Sequence, residues 1–348
     1  MLYLIVGRPG LSQPAVNCVN SLGRGRFIET TLSLRCIVKK LLPLILIAGV
    51  ILLVSGIESI GLRMLDAHPR AASPASPDGT PAVLVGAGDI ADCHEIEGAK
   101  ATAALLANIP GTIFAAGDTG CPDGTVENFT QCYDPTWGRF KDRTRPAPGN
   151  HEYHTKGALP YFQYFGAAAG EPGKAYYSYE LGGWHIISLD SDCSDIGGCG
   201  AGSREEQWLR QDLASHPSKC TVAYWHHPLF SSGQHGNSFE MRAFWQDLYH
   251  AGATIVINGH DHDYERFAPQ DPDGHLDRAK GIREFVAGTG GRHRRHFGAI
   301  IPNSEVHDAD SFGVLKLTLY SDHYTWQFIP APPATFNDSG EGTCHGSS

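Results

Sequence analysis

Asn258-Gly259-His260-Asp261-His262-Asp263-Tyr264-Glu265-Arg266 is the stretch from which the rest of the chain is read. It follows Thr254-Ile255-Val256-Ile257, an apolar run short and β-branched enough to be a buried strand. Two imidazoles one residue apart, in a turn opened by glycine, project toward different points in space. A single ion wants ligands that converge, whereas a pair of ions wants ligands that fan out. Two core histidines would explain the stretch equally well if it stood alone. It does not stand alone.

Working outward, the same order of apolar run, glycine and ligand-type residue recurs. Val83-Leu84-Val85 leads to Gly88-Asp89, and Thr112-Ile113-Phe114 leads to Gly117-Asp118. A segment rich in Tyr, Pro and Arg ends in Pro148-Gly149-Asn150-His151-Glu152, and Thr221-Val222-Ala223-Tyr224-Trp225 leads to His226-His227-Pro228. Between them lie helical stretches at 99–108 and 238–249, the second with Asn237 and Glu240 as candidate caps. Ser203-Arg204-Glu205-Glu206 has the spacing of a capping box, with Trp208, Leu209 and Leu213 as the buried stripe of its helix. Residues 176–179 and 185–189 read as a strand pair turning at Gly182-Gly183. Leu315, Leu317 and Leu319, then Tyr324, Trp326 and Phe328, alternate as a hairpin with one face in the core. Strands alternating with helices early and antiparallel pairs late predict a mixed α/β and α+β architecture. Ligand turns that all follow strands can meet at one rim, beyond the carboxyl ends of those strands.

Length and charge narrow the field. A chain of 348 residues can bury one large core. Residues 1–80 hold eight Lys/Arg against four Asp/Glu, or +4, which leaves −14 of the total −10 on the remainder. A domain so acidic is a poor electrostatic partner for nucleic acid, and none is expected. Bound divalent cations would offset part of the excess.

The N-terminal part has a different character. Residues 41–57 are almost wholly apolar and follow Arg35, Lys39 and Lys40, so a membrane-directed segment with its positive flank inside is expected. The run is slightly short for a full span and long for a signal-peptide core. An uncleaved anchor is preferred to a cleaved signal peptide, because no clean Ala-x-Ala site follows closely. Either reading puts the chain after residue 60 outside the cytoplasm. The expected organisation is a poorly structured segment at 1–35, the hydrophobic segment at 36–58, an Ala/Ser/Pro-rich linker at 59–81, a catalytic domain at 82–330 and a tail at 331–348. Seven cysteines follow the apolar segment, in what should be an oxidising compartment. Cys193 and Cys199 can close a small loop. Cys93 with Cys132, and Cys220 with Cys344 in the tail, are pairings that spacing leaves open. Seven is odd, so one thiol is left over, and Cys121 is the candidate.

The candidate ligands are Asp89, Asp118, Asn150, His226, His260 and His262, with His151 beside them. Oxygen donors and imidazoles without a thiolate suit Zn, Mn or Fe, and the set exceeds what one ion needs. Two ions about 3.5–4 Å apart share a bridging carboxylate and an activated water, and clamp a phosphoryl group.

The series Gly88-Asp89, Gly117-Asp118, Gly149-Asn150-His151-Glu152, His226-His227-Pro228 and Gly259-His260-Asp261-His262 resembles the calcineurin-like metallophosphoesterase superfamily. Its ending, Asp263-Tyr264-Glu265-Arg266, is most similar to the purple acid phosphatase branch. The likeness spans about residues 82–330, and five motifs in order are specific where each alone is weak. It implies a four-layer αββα sandwich and phosphoester hydrolysis by a metal-bridged hydroxide at a dinuclear centre. It further implies Asp118 as the bridge, Asp89 and His262 on the first ion, and Asn150, His226 and His260 on the second. His226 is preferred to His227 because the family's ligand lies two residues before the proline. His151 would hydrogen-bond the phosphate or protonate the leaving oxygen. Two positions depart from the pattern: Ala91 stands where many members have histidine, and Cys121 where purple acid phosphatases have tyrosine, which puts iron in doubt. Cys121 as a ligand is weighed against a simply packed thiol.

Four lesser features complete the reading. The run from Gly290 to His296 is either a cationic surface loop or a source of guanidinium for phosphate. Arg139, Arg143 and Arg145 are expected to pair with carboxylates. Tyr264 and Arg266 are expected to support their turn, and Asp190 and Asp192 are candidates to orient ligand histidines. The expected substrate is a phosphorylated small molecule, a monoester before a diester such as a cyclic nucleotide. A binding protein that keeps the fold without catalysis is the reading from another class. A Ser-His-Asp hydrolase is disfavoured, since the chain has no Gly-x-Ser-x-Gly elbow.

Overall fold

Leu84 and Val85 are neighbours on one strand, so they face opposite sides of it, and both are fully buried. A strand buried on both faces needs a layer above and a layer below. The structure, a computed structural model describing residues 80–346, supplies those layers. The expected segments at 1–35 and 36–58, and the linker up to residue 79, lie outside the described residues. Among the described residues, no helix is long and apolar enough to cross a membrane.

In chain order the first strands are β1 (Ala82–Ala87), β2 (Ala91–Asp92), β3 (Thr112–Ala116), β4 (Gly120–Cys121) and β5 (Thr144–Ala147). Then come β6 (Tyr177–Leu181), β7 (Trp184–Ser188), β8 (Thr221–Tyr224), β9 (Ile255–Asn258) and β10 (Tyr264–Phe267). The last are β11 (Arg283–Ala287), β12 (Ser304–Asp308), β13 (Gly313–Leu319), β14 (His323–Pro330) and β15 (Asp338–Thr343). The longer helices are α1 (Ile96–Leu106), α2 (Leu159–Phe165), α3 (Arg204–Ser215) and α4 (Arg242–Ala251).

Among the described residues, one six-stranded sheet runs β15-β14-β13-β1-β3-β5 and a seven-stranded sheet runs β12-β10-β11-β9-β8-β7-β6. Leu84, Phe114, Leu315 and Leu317 from the first meet Ile186, Val222, Ile257 and Phe285 from the second in one cluster. The outer face of the first sheet, through Val85 and Ala115, packs on Ala99, Ala103 and Leu106 of α1 and on Trp137. The outer face of the second, through Ile187, Ala223 and Val256, packs on Leu209 of α3 and on Phe244, Trp245 and Leu248 of α4. Helix, sheet, sheet, helix: this is the mixed αββα sandwich that the sequence predicts.

Several details differ from the expectation. Ser203 accepts from the Glu206 amide at 3.2 Å, but the Glu206 carboxylate turns to the Gly202 amide, so the capping box is half formed. The Asn237 side chain accepts from the Ser231 amide instead of capping a helix, and α4 begins at Arg242 after a short 3-10 turn. The segment expected as a tail contributes β15, which pairs with β14 along its length. Asp338 at the start of β15 accepts from the Tyr264 hydroxyl, the Arg266 Nε and the Trp326 indole. Tyr264 and Arg266 therefore act as supports, as expected, and the tail is part of what they hold. Disulfides join Cys93 to Cys132, Cys193 to Cys199 and Cys220 to Cys344, and Cys121 is the free, buried cysteine among the described residues.

Candidate metal centre

The middle of each sheet is parallel: β1, β3 and β5 in one, and β7, β8, β9 and β11 in the other. The carboxyl ends of these strands therefore emerge on one side, and the two sheets touch there. The Gly88 amide, just past β1, donates to the Ala287 carbonyl of β11 at 2.9 Å, and the Gly290 amide returns to the Gly88 carbonyl at 2.9 Å. The turns after β1, β3, β5, β8 and β9 carry Asp89, Asp118, Asn150, His226, His260 and His262.

The glycines in these turns are required by close approach. A side chain on Gly117, at φ +82°, would collide with the His226 ring, and one on Gly149 would collide with Asp118 Oδ1. Strain collects at the same place. Among the described residues, the non-glycine positions with positive φ are Asp89, Asp118, Ala158, His260 and Asn303. Three of those five are candidate ligands. Left-handed backbone costs roughly 1 kcal/mol or more at each, tolerated where the surroundings over-determine it.

Asp118 is the hub. Its Oδ1 accepts from the His151 amide at 3.0 Å and lies 3.4 Å from His226 Nε2; its Oδ2 lies 3.2 Å from Arg292 Nη1 and 3.6 Å from His151 Nε2. Asp89 sits across the rim, with Oδ1 3.2 Å from His262 Nε2 and Oδ2 accepting from the His260 amide at 2.8 Å. Two histidines are turned by backbone carbonyls: His226 Nδ1 lies 2.8 Å from the Ala116 carbonyl and His262 Nδ1 lies 2.6 Å from the His293 carbonyl. Each carbonyl holds Nδ1–H as a donor and leaves Nε2 facing the carboxylates. His260 Nδ1 and His226 Nε2 face each other at 3.2 Å.

The electrostatics are those of a cation site. Burial disfavours a charged His226, yet Asp118 and Asp89 outweigh it and push its pKa up to about 10. Burial, followed by the charge of His226, drives His260 down. Asp118 stays well below the usual carboxylate range, because His226, His151 and Arg292 offset its burial. Two oxygens fit a bound ion for a separate reason. Asp89 Oδ1 and Asn150 Oδ1 are buried and have no hydrogen-bond partner among the described residues. Buried acceptors left that way are costly unless something occupies them. With the facing imidazoles, these residues suit hard or borderline cations.

The family model described as "Calcineurin-like phosphoesterase" matches residues 76–264, more than half of the chain. The chain belongs to the calcineurin-like phosphoesterase family. Among relatives, it is 28% identical over 236 residues to purple acid phosphatase 15 of Arabidopsis thaliana, an alignment that covers 57% of this chain and 43% of that protein. To purple acid phosphatase 23 of the same plant it is 32% identical over 166 residues, covering 42% and 35%. The chain thus spans less than half the length of these two relatives. Among solved structures, a purple acid phosphatase from yellow lupin seeds superposes with a TM-score of 0.58 at 18% identity, over 76% of this chain and 54% of that one. GAP50, the anchor in the inner membrane complex of Plasmodium, superposes with a TM-score of 0.59 at 13% identity, over 77% and 90%. Those two likenesses concern the fold.

Against the other members suggested by the sequence, this phosphoesterase rim shows three further features. The Cys121 thiol is fully buried, with Sγ 3.6 Å from the Asp118 carbonyl, and burial and then Asp118 push its pKa well up. Arg292, expected on an exposed loop or near phosphate, is buried, with Nη1 2.6 Å from His151 Nε2. It follows β11 and Gly288, the same strand-then-glycine order as the other five turns, in the run that the sequence offers as either a surface loop or a guanidinium for phosphate. Glu152 is the third. Fully buried, it accepts from the amides of Asp118, Thr119, Gly120 and Gly149 and from the Thr119 hydroxyl, at 2.8–3.1 Å. It clamps the Asp118 turn to the Asn150 turn. Burial and Asp118 push its pKa up to about 7, against the pull of those amides.

Other expectations move. Asp190 and Asp192 do not touch the ligand histidines: Asp190 takes the Tyr153 hydroxyl and the Asp192 amide, and the orienting acceptors are backbone carbonyls instead. Arg139, Arg143 and Arg145 bond backbone carbonyls, not carboxylates; Arg143 caps the carbonyls of Leu106 and Gly111, both at 2.7 Å. Asp261 accepts from Ser231 Oγ and from the His235 and Gly236 amides, which seats the His235 ring 4.3 Å from that of His260.

Proposed function

We propose that this chain hydrolyses phosphate esters, monoesters in preference to diesters, outside the cytoplasm. Two metal ions would be held by Asp89, Asp118, Asn150, His226, His260 and His262, with Asp118 between them. The observation that carries the reading is the convergence of two carboxylates and three imidazoles, two of them oriented by backbone carbonyls, with two orphaned buried oxygens. When bound, such a pair supplies Lewis acidity toward phosphoryl oxygens and lowers the pKa of water.

The chain's own groups do the rest. Arg292 presents a fixed guanidinium beside Asp118, where it can take a phosphoryl oxygen and offset developing negative charge. His151 points its Nδ1 at the Pro122 carbonyl and its Nε2 toward Arg292 and Asp118, partly buried at the rim. From there it hydrogen-bonds the phosphate or hands a proton to the leaving oxygen. Glu152 keeps the Asp118 and Asn150 turns in register, so these groups are placed before substrate arrives. The buried, uncharged Cys121 thiol takes no part. Without a tyrosinate at that position, no charge-transfer colour is expected.

Metal analysis and parallel rate measurements on p-nitrophenyl phosphate and its bis-aryl diester test this. The expected result is two metal equivalents per chain, a monoester preference and loss of hydrolysis in Asn150→Ala and His151→Ala with folding retained. Uptake of a single ion would sink the dinuclear reading. A diester preference would move the assignment to phosphodiesterase. Undiminished hydrolysis in both variants would remove these residues from the mechanism.

A further inference from the structure

The segment from Gly290 to His296 leaves the metal centre and reaches the surface, and it is cationic although residues 81–348 together carry −14. Arg292 turns inward to Asp118. Arg294, Arg295 and His296 line a surface cavity of about 590 Å³ that opens to solvent, with Gly233 and Gln234 also in its wall. That volume is in the range of a small-molecule site.

The cavity adjoins the centre on two sides. The ring of His293, which is also in its wall, lies 4.9 Å from that of His262. Gln234 immediately precedes His235, whose ring packs on His260. Arg295 ties the wall to the rim: its amide donates to the His262 carbonyl at 3.2 Å.

The charges in this wall are not neutralised. Arg266 and Arg283 pair with Glu305, and Arg242 pairs with Asp273. Arg294 instead bonds the Asp310 carbonyl and lies over the Phe312 ring, and Arg295 bonds the Gln234 amide oxygen. Neither has a carboxylate partner among the described residues, in a domain with carboxylates to spare. Guanidinium groups held by neutral acceptors around a concavity keep their charge available to an anion.

We infer that this cavity is a second anion subsite. The preferred substrate class is then a phosphate ester with a further phosphoryl group, one phosphoryl reacting at the centre and the other resting against Arg294, Arg295 and His296. This rests on the hydrolase reading. Binding energy from the second group would be available to orient the first.

The test uses the full-length chain and the double variant Arg294→Gln/His296→Gln, with Arg294→Lys as a charge-keeping control. On metal-loaded protein, kcat/KM for fructose 1,6-bisphosphate should exceed that for fructose 6-phosphate by roughly tenfold, and the ratio should fall to about two in the double variant. On chelator-treated protein, titration calorimetry should show tripolyphosphate binding about tenfold tighter than orthophosphate, with that margin lost in the double variant and kept in Arg294→Lys. A ratio near one in the wild type, or a margin that survives the double substitution, overturns the subsite. If neither sugar phosphate is cleaved while tripolyphosphate still binds through Arg294 and His296, the hydrolase reading fails and the subsite stands.

Discussion

Two clusters in this molecule set histidine against carboxylate, and they are built in opposite ways. At His185, both ring nitrogens are taken: Nδ1 lies 2.7 Å from Glu180 and Nε2 lies 2.8 Å from Asp212. Asp212 is filled in turn by the Ser178 hydroxyl and by His216, whose ring stacks on His185. At the rim, His226 and His262 each spend one nitrogen on a backbone carbonyl and aim the other at carboxylates. Asp89 and Asn150 keep buried oxygens without partners there among the described residues. Residue types do not separate the two clusters. What separates them is whether the polar atoms are already satisfied.

The comparison is tested most severely at Asp118. Asp118→Asn keeps the shape and a hydrogen-bonding oxygen but removes the charge that His226, His151 and Arg292 surround. Activity on p-nitrophenyl phosphate should fall at least about a thousandfold, and bound metal should drop below one equivalent per chain. Near-normal metal content with near-normal rate would mean that Asp118 does not hold the metal and that the open rim is organised around other groups. Glu152→Gln tests the scaffold beneath the rim. Its amide group would oppose two backbone N–H donors that the carboxylate now satisfies, at a cost of about 3–4 kcal/mol in denaturant unfolding. A loss under 1 kcal/mol would show that the two turns do not depend on the clamp.

How far these distinctions could be read from sequence follows from the same contrast. The strand-glycine-ligand order is local, so it exposed Asp89, Asp118, Asn150, His226, His260 and His262 as well as the alternation that builds the sandwich. Glu152 was visible only as part of a motif, because its role depends on amides some 30 residues away in the Asp118 turn. Asp190 and Asp192 looked suited to orient histidines, but their partners are set by tertiary packing, and backbone carbonyls took that role. Nor could sequence show that Arg292 folds inward while Arg294 stays outside; alternation in an irregular turn has no fixed period. The C-terminal strand β15 was hidden by Gly340 and Gly342, which have weak strand preference and pack on Trp326 and Tyr324.

The satisfied cluster carries its own signature in pH. Burial opposes charge on His185, but Asp212 and Glu180 prevail and raise its pKa to about 9, from an ordinary value near 6.5. A raised pKa means the folded state holds the proton more tightly. That stabilisation is full below pH 6.5 and is lost as pH rises through about 9. Burial likewise opposes charge on Asp212, yet His185 and Ser178 hold it below its ordinary value of 3.8, so its share persists above that pH and is lost on further acidification. His185→Gln should therefore cost about 2–3 kcal/mol at pH 6 and much less at pH 9.5, in parallel denaturant curves. An equal cost at both values would mean that His185 is neutral when folded.

Cys121 is where the contrast is finest, because it lies at the rim but is built like the closed cluster. Its sulfur is buried against the Asp118 carbonyl, within 4.8 Å of ligand-type atoms of Asp118 and His151. Burial and the neighbouring carboxylates both keep it a neutral thiol, and a neutral thiol is a poor metal ligand. Cys121→Ser exchanges a weakly polar atom for a hydroxyl that can still donate to the same carbonyl. The expected loss is about 1 kcal/mol or less, with two metal equivalents retained and an unaltered visible spectrum. A ligand thiolate would behave otherwise, since its removal would lower metal content and remove any sulfur-to-metal absorption. Metal analysis of this variant at matched loading therefore decides whether one group at the open rim is as fully occupied as His185.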